Sequence, residues 1–134
     1  MRFSFDGRLT DTVTMAPGYE EFMVVREEHG GGMRPLFGKQ TSVGVGRSSF
    51  VVGGGDRMAF TERDLTGALL REIRVEEYPL GVSTAEIQAE RDARIPPGGP
   101  PPEWYREIVA MLPAPEAKPA YTELLVDAEG FVWA

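Results

Sequence analysis

"SVGVGRSSFVVGGGDRMAFTERDLTGALLREIRV", residues 42–75, is a run of short apolar segments broken by glycine, serine and aspartate. Strands of 4–8 residues bounded by such turn formers are the signature of antiparallel sheet. The spacing predicts strands at 42–46, 49–53, 57–63 and 68–75, with "DLTG" (64–67) as the last turn. Residues 42–75 therefore read as a four-stranded antiparallel meander.

Upstream, "RFSFDGRLTDTV" (2–13) alternates apolar and polar residues around Asp6-Gly7, a strong short-range hairpin signal. A strand is expected at 21–25. "REEHGGGMRPLFGKQ" (26–40) reads as loop, because three consecutive glycines and a proline favour irregular backbone. Downstream, "STAEIQAERDARI" (83–95) predicts a helix opened by a capping box, Ser83 with Glu86, and carrying a Glu90–Arg94 pair on a thin apolar face. "PPGGPPPE" (96–103) interrupts the chain. "EWYREIVAML" (103–112) predicts a second helix with Trp104, Ile108, Met111 and Leu112 on one stripe. The closing segment, "ELLVDAEGFVWA" (123–134), reads as strand, turn at Asp127–Gly130, and strand.

The chain has 134 residues, 42% of them hydrophobic, which suits one ordinary domain with a real core. Sixteen glycines and eleven prolines fit short strands and tight turns better than a helical protein. The net charge is −7 and no Lys/Arg cluster appears, so nucleic acid is not the expected partner. There is no cysteine, which excludes disulfides and thiolate metal sites. No apolar run approaches the ~18 residues of a transmembrane segment, and the first residues lack a signal-peptide apolar core.

The closing segment also lines up with residues 42–53 at a constant offset. Val43, Gly44 and Val45 fall on Leu124, Leu125 and Val126, and Phe50, Val51 and Val52 fall on Phe131, Val132 and Trp133. On this alignment both turns hold four residues. Taking the helical stretch 81–119 out of the offset leaves close to the ~40–45 residues of one four-stranded propeller blade. "FDGRL" (5–9) and "LTGAL" (65–69) supply a second match. The expected fold is mainly β: a partial β-propeller of antiparallel four-stranded blades with a two-helix insertion. Residues 1–13 would end one blade, 42–75 form a complete one, 81–119 be the insertion and 120–134 start the next. Such a chain would be a piece of a larger protein, needing its remaining blades from further sequence or from other copies.

"LLVDAEGFVW" (124–133) resembles the blade openings of a bacterial six-bladed, NHL-like β-propeller family, and the order of motifs over nearly the whole chain looks like the C-terminal part of its members. The resemblance implies an exported, periplasmic or secreted protein, and says little about activity. The same Asp-x-x-Gly-x-Val-Trp element also resembles sensor-domain propellers of two-component regulators.

Chemistry-bearing motifs are sparse. His29, the only histidine, sits in the glycine-rich stretch with no apparent partner, so a histidine-based triad would have to draw its other members from distant parts of the fold. "GMRPLFGKQ" (32–40) fails as a phosphate loop, since five residues separate its glycines and Gln40 replaces the required Ser or Thr. "GGGD" (53–56) lies between strands and does not fit a dinucleotide fingerprint. Asp6, Asp64 and Asp127 each precede a glycine at a turn, where aspartate is explained by bonding to local backbone. Trp133 is expected between blades.

These features point to a non-enzymatic module that binds a protein or small-molecule ligand, with no cofactor. Its candidate surface residues are Trp104 and Tyr105 on the second helix, and Glu123 and Asp127 on the innermost strands. A metal-assisted hydrolase or lactonase sited in the channel of a complete propeller is the alternative.

Overall fold

The computed structural model describes residues 1–26, 29–96 and 101–134. In chain order the strands and helices are β1 (Arg2–Phe3), β2 (Leu9–Asp11), β3 (Phe22–Arg26), β4 (His29–Met33), β5 (Ser42–Val45), β6 (Ser49–Gly53), β7 (Ala59–Asp64), β8 (Leu69–Arg74), α1 (Thr84–Ala93), α2 (Glu103–Met111), β9 (Leu125–Val126) and β10 (Val132–Trp133). The chain is mainly β, with antiparallel sheets and two helices. It divides into two compact units, one of residues 1–18, 40–78 and 120–134, the other of 19–39 and 79–119.

The first unit is built on the meander the sequence predicts. β5, β6, β7 and β8 pair in that order, all antiparallel. Side chains alternate between the two faces of this sheet. Ser42, Gly44 and Val51 turn to one face and are buried, whereas Val43 and Val45 turn to the other and are exposed.

What covers the first face is the segment 120–126, which ends in β9. Tyr121 and Leu124 form a buried cluster with Val51 and Phe60, and Met58, Ile73, Val126 and Val132 pack around it. The Phe60 and Tyr121 rings meet edge to face, 6.2 Å apart, a favoured aromatic geometry. The approach is close enough to require glycine. A Cβ on Gly44 would stand 2.8 Å from the Leu124 carbonyl oxygen, and one on Gly53 would meet the Tyr121 hydroxyl. Polar groups in the contact are satisfied: the Tyr121 hydroxyl donates to the Ala59 carbonyl at 2.7 Å, and the Gln40 amide and Ser42 hydroxyl both donate to the Thr122 carbonyl at 3.0 Å.

Three hairpin turns of this unit share one construction. In 4–8, 64–68 and 127–131, the first residue's N–H bonds to the carbonyl of the fifth, and the glycine N–H bonds back to the first carbonyl. Gly7, Gly67 and Gly130 all have positive φ, 81°, 95° and 89°, the arrangement of a short hairpin loop ending in a left-handed glycine. The match of "FDGRL" with "LTGAL" is thus a match of geometry. The alignment of 42–53 on 123–134 is not. Val45 pairs with Phe50 across four residues, whereas Val126 pairs with Val132 across five, and Gly46 bonds Ser49 directly. The closing turn copies the β7–β8 turn instead.

In the second unit, 26–40 departs from the expected loop. His29 to Met33 forms β4, in register with β3 from Arg26↔His29 to Phe22↔Met33. The strand partner supplies the order that glycine propensity alone argues against; residues 27 and 28 lie outside the described residues. Gly38 N–H then closes a tight turn on the Pro35 carbonyl.

Helix α1 starts at the capping box as the sequence predicts. Ser83 Oγ accepts from the Glu86 N–H, and the Glu86 carboxylate accepts from the Ser83 N–H. The Lys118 ammonium, 2.7 Å away, is the largest influence on the Glu86 carboxyl, and with the Ser83 bonds it lowers its pKa from 4.5 to about 2. At the other end Arg94 bonds Glu90 at 2.9 Å and donates to the carbonyls of Arg34 and Pro35. The break expected at 96–103 lies partly outside the described residues, which omit 97–100.

Helix α2 is rotated from the expected stripe. Val109 and Leu112 are buried and Ile108 is partly so, while Trp104 and Met111 are exposed. Tyr105 takes the inner position because its hydroxyl bonds the Arg94 carbonyl at 3.1 Å.

Two outcomes test this packing. Tyr121→Phe removes the partner of a buried carbonyl and is expected to cost about 1–3 kcal/mol in denaturant unfolding. Glu86→Gln keeps a capping-box acceptor but does not titrate. Because the Glu86 pKa is lowered on folding, its contribution is present above pH 4.5 and is lost as the pH falls toward about 2. The Tm difference between wild type and variant should therefore be full above pH 4.5, shrink as the pH falls, and vanish only below about pH 2.

Candidate functional site

The first unit holds a polar groove of about 580 Å³ along the outer edge of β5. Its walls are residues 40–45 on one side and 122–126 on the other. β5 is an edge strand of the four-stranded sheet. Bonded and non-bonded pairs alternate along an antiparallel ladder. Gly46 N–H bonds the Ser49 carbonyl across the hairpin, which places Gly44 and Ser42 in the inward-bonded set. The amides of Val43 and Val45 then point out of the sheet into the groove, offering main-chain donors and acceptors in an extended row.

Glu123 is exposed and lines this groove. Asp127 stands at the end of the same strand, and its carboxylate is fully engaged. Oδ1 accepts from the backbone N–H of Glu129 and Phe131, at 3.1 and 2.8 Å, and Oδ2 accepts from the Trp133 indole N–H at 2.9 Å. The indole bond, followed by the backbone donors, holds the Asp127 pKa below its ordinary value. Asp64 is arranged alike, its carboxyl lowered first by the Thr66 hydroxyl and then by backbone N–H groups. Asp6 accepts from the Ser4 hydroxyl, which is the main reason that its pKa is also lowered. Each carboxylate serves its turn, as the sequence suggests.

Trp104 and Tyr105 belong to the second unit and meet edge to face at 5.8 Å. They form no flat stacking platform, because Tyr105 is held inward and Trp104 alone is half exposed. Trp133, expected between blades, is 63% exposed within this chain, with its indole nitrogen taken by Asp127. The His29 side chain lies outside the described residues. Among the described residues no three acidic or histidine side chains converge to hold a metal ion. Sequence reasoning missed the groove's chief feature, the outward amides of β5, because backbone donors leave no residue-type signature.

A second hollow, an apolar cleft of about 500 Å³, lies on the other face of the sheet. Val43, Val45, Phe50 and Leu65 line it from the sheet side, and Arg2 and Val13 from the N-terminal segment. Compared with family models, curated proteins and solved structures, the chain matches none of them. No described helix is long and apolar enough to cross a membrane.

The Asp127–Trp133 bond has a spectroscopic test. The Trp133 indole N–H resonance should titrate with a midpoint below the ordinary carboxylate value of 3.8, while that of Trp104 stays fixed. Asp127→Asn should abolish the titration and lower stability at neutral pH. A Trp133 resonance indifferent to both changes would show that the bond does not form in solution.

Proposed function

We propose that this chain is a binding or scaffold module with no reaction of its own, taking an extended peptide segment along β5, and that its sheets are blades of the propeller type. The observation that carries the binding reading is the groove beside β5, with main-chain donors facing outward and Glu123 at its wall. An extended peptide adds to such an edge by main-chain hydrogen bonds and is selected by flanking side chains. Glu123 would favour basic residues beside the added strand.

The blade reading is supported by packing. The closing hairpin lies face-on against the β5–β8 sheet through Val126 and Val132 and adds no strand to its edge. Face-to-face stacking of small antiparallel sheets is how propeller blades cover one another. The acid–base chemistry of a hydrolase has little support here. Asp127 spends its acceptor sites on three N–H donors, and its lowered pKa makes it a weak base.

The test is an array of immobilised peptides probed with the purified chain. Retention of extended, basic peptides is expected. Val43→Pro should abolish it, since proline removes an outward amide without removing a ladder bond. Glu123→Arg should shift preference toward acidic peptides. Retention indifferent to Val43→Pro, or turnover of ester and lactone substrates by the wild type, would sink this reading.

A further inference from the structure

Two apolar surfaces of the first unit are bare, and they lie on opposite sides of the same sheet. One is the cleft, where Val43 and Val45 are 54% and 68% exposed beside Phe50 and Leu65. The other is the outward side of the β9–β10 hairpin. Leu125 pairs with Trp133 and Val126 with Val132, so each pair shares a face. Val126 and Val132 pack inward on the cluster, which leaves Leu125, Trp133 and Phe131 facing out, each more than half exposed. These surfaces cannot meet within one copy, because the β5–β8 sheet stands between them. Between copies they can.

We propose that the outward side of the β9–β10 hairpin seats in the apolar cleft of a second copy of this chain, joining copies head to tail. This rests on the blade-stacking reading above. The hairpin already packs on one face of a β5–β8 sheet with its inner side, so the same small element suits the exposed Val43–Val45 part of the other face, beside the N-terminal segment that lines the rest of the cleft. Charge agrees in sign. The β9–β10 turn carries Glu129 and residues 120–134 hold no Lys or Arg, whereas the cleft carries Arg2, and the exposed Arg47 lies on the turn between β5 and β6. Arg2 is already 3.7 Å from Asp11, so burial of the aromatic and valine side chains supplies most of the affinity.

A contact between two different surfaces is heterologous, and it closes into a ring when the rotation per copy allows. The first unit of each copy contributes one four-stranded sheet and the β1–β2 and β9–β10 hairpins. With about two blades' worth of strands per copy, the four to eight blades of known propellers correspond to roughly two to four copies. The β9–β10 hairpin of one copy would then lie near the β1–β2 hairpin of the next.

Light scattering on the full chain tests this. The expected mass is a discrete multiple of two, three or four copies. Val45→Glu and Phe131→Glu alter exposed side chains, so each should give a monomer whose circular dichroism matches the wild type. Mixed together they should form a dimer and go no further, since only one junction of the pair is intact. A monomeric wild type, or variants that assemble as the wild type does, would overturn the proposal. A monomeric wild type whose peptide retention is lost by Val43→Pro would overturn head-to-tail assembly and leave the binding reading standing. A ring whose members retain no peptide would support the assembly and overturn the binding reading.

Discussion

The first unit depends on one close approach. The backbone at Leu124 comes near enough to Gly44 that no side chain fits between them, and the Tyr121 hydroxyl occupies the space that a Cβ on Gly53 would need. Glycines usually weaken strands, having no side chain to pack and more backbone entropy to lose. Here their bareness lets a second strand lie flat on the sheet, so that Tyr121 and Leu124 reach Val51 and Phe60. The polar cost of that burial is met by two hydrogen bonds to the Thr122 carbonyl and one to the Ala59 carbonyl. Without the notch, the sheet would keep its pairing and lose its cover.

The groove and the cleft both follow from that arrangement. Because the segment 120–126 lies over one face beside β5, the β5 edge is left open along the groove. On the other face, Val52 is buried beside the N-terminal segment, and Val43 and Val45 near the β5 edge stay exposed. The same sheet thus has a polar margin suited to extended backbone and an apolar side suited to another sheet.

Local features of the fold were legible in the sequence to a fine grain. The four strands of the meander, the Ser83 capping box, the Glu90–Arg94 pair and the turn aspartates are each fixed by neighbours a few residues away, and periodicity and turn chemistry report such things directly. Features set by distant partners were not. β4 is a strand because β3 pairs with its glycines. Helix α2 turns Tyr105 inward because a carbonyl of Arg94 waits there, which rotates Trp104 out. The alignment of 42–53 with 123–134 followed shared apolar residues across turns of different length. The matching turns were those that ended in a left-handed glycine. Of the candidate residues, Glu123 lies in the groove and Asp127 at its end. Trp104 and Tyr105 belong to the other unit. The outward amides of β5 could not be read from any side chain.

The three glycine-closed turns and the segment 120–126 differ in the distance along the chain that each must span. A turn closes over five residues, whereas the Tyr121–Ala59 bond joins positions 62 apart. Loop closure over the longer span carries a larger entropic cost, and its contacts reward that cost only once many have formed. The hairpins can therefore form early and independently. On loop-closure grounds the docking of 120–134 is expected to follow the hairpins and to be released before they are. The segment that completes the core is the one whose release would empty the groove and bare the glycine notch together.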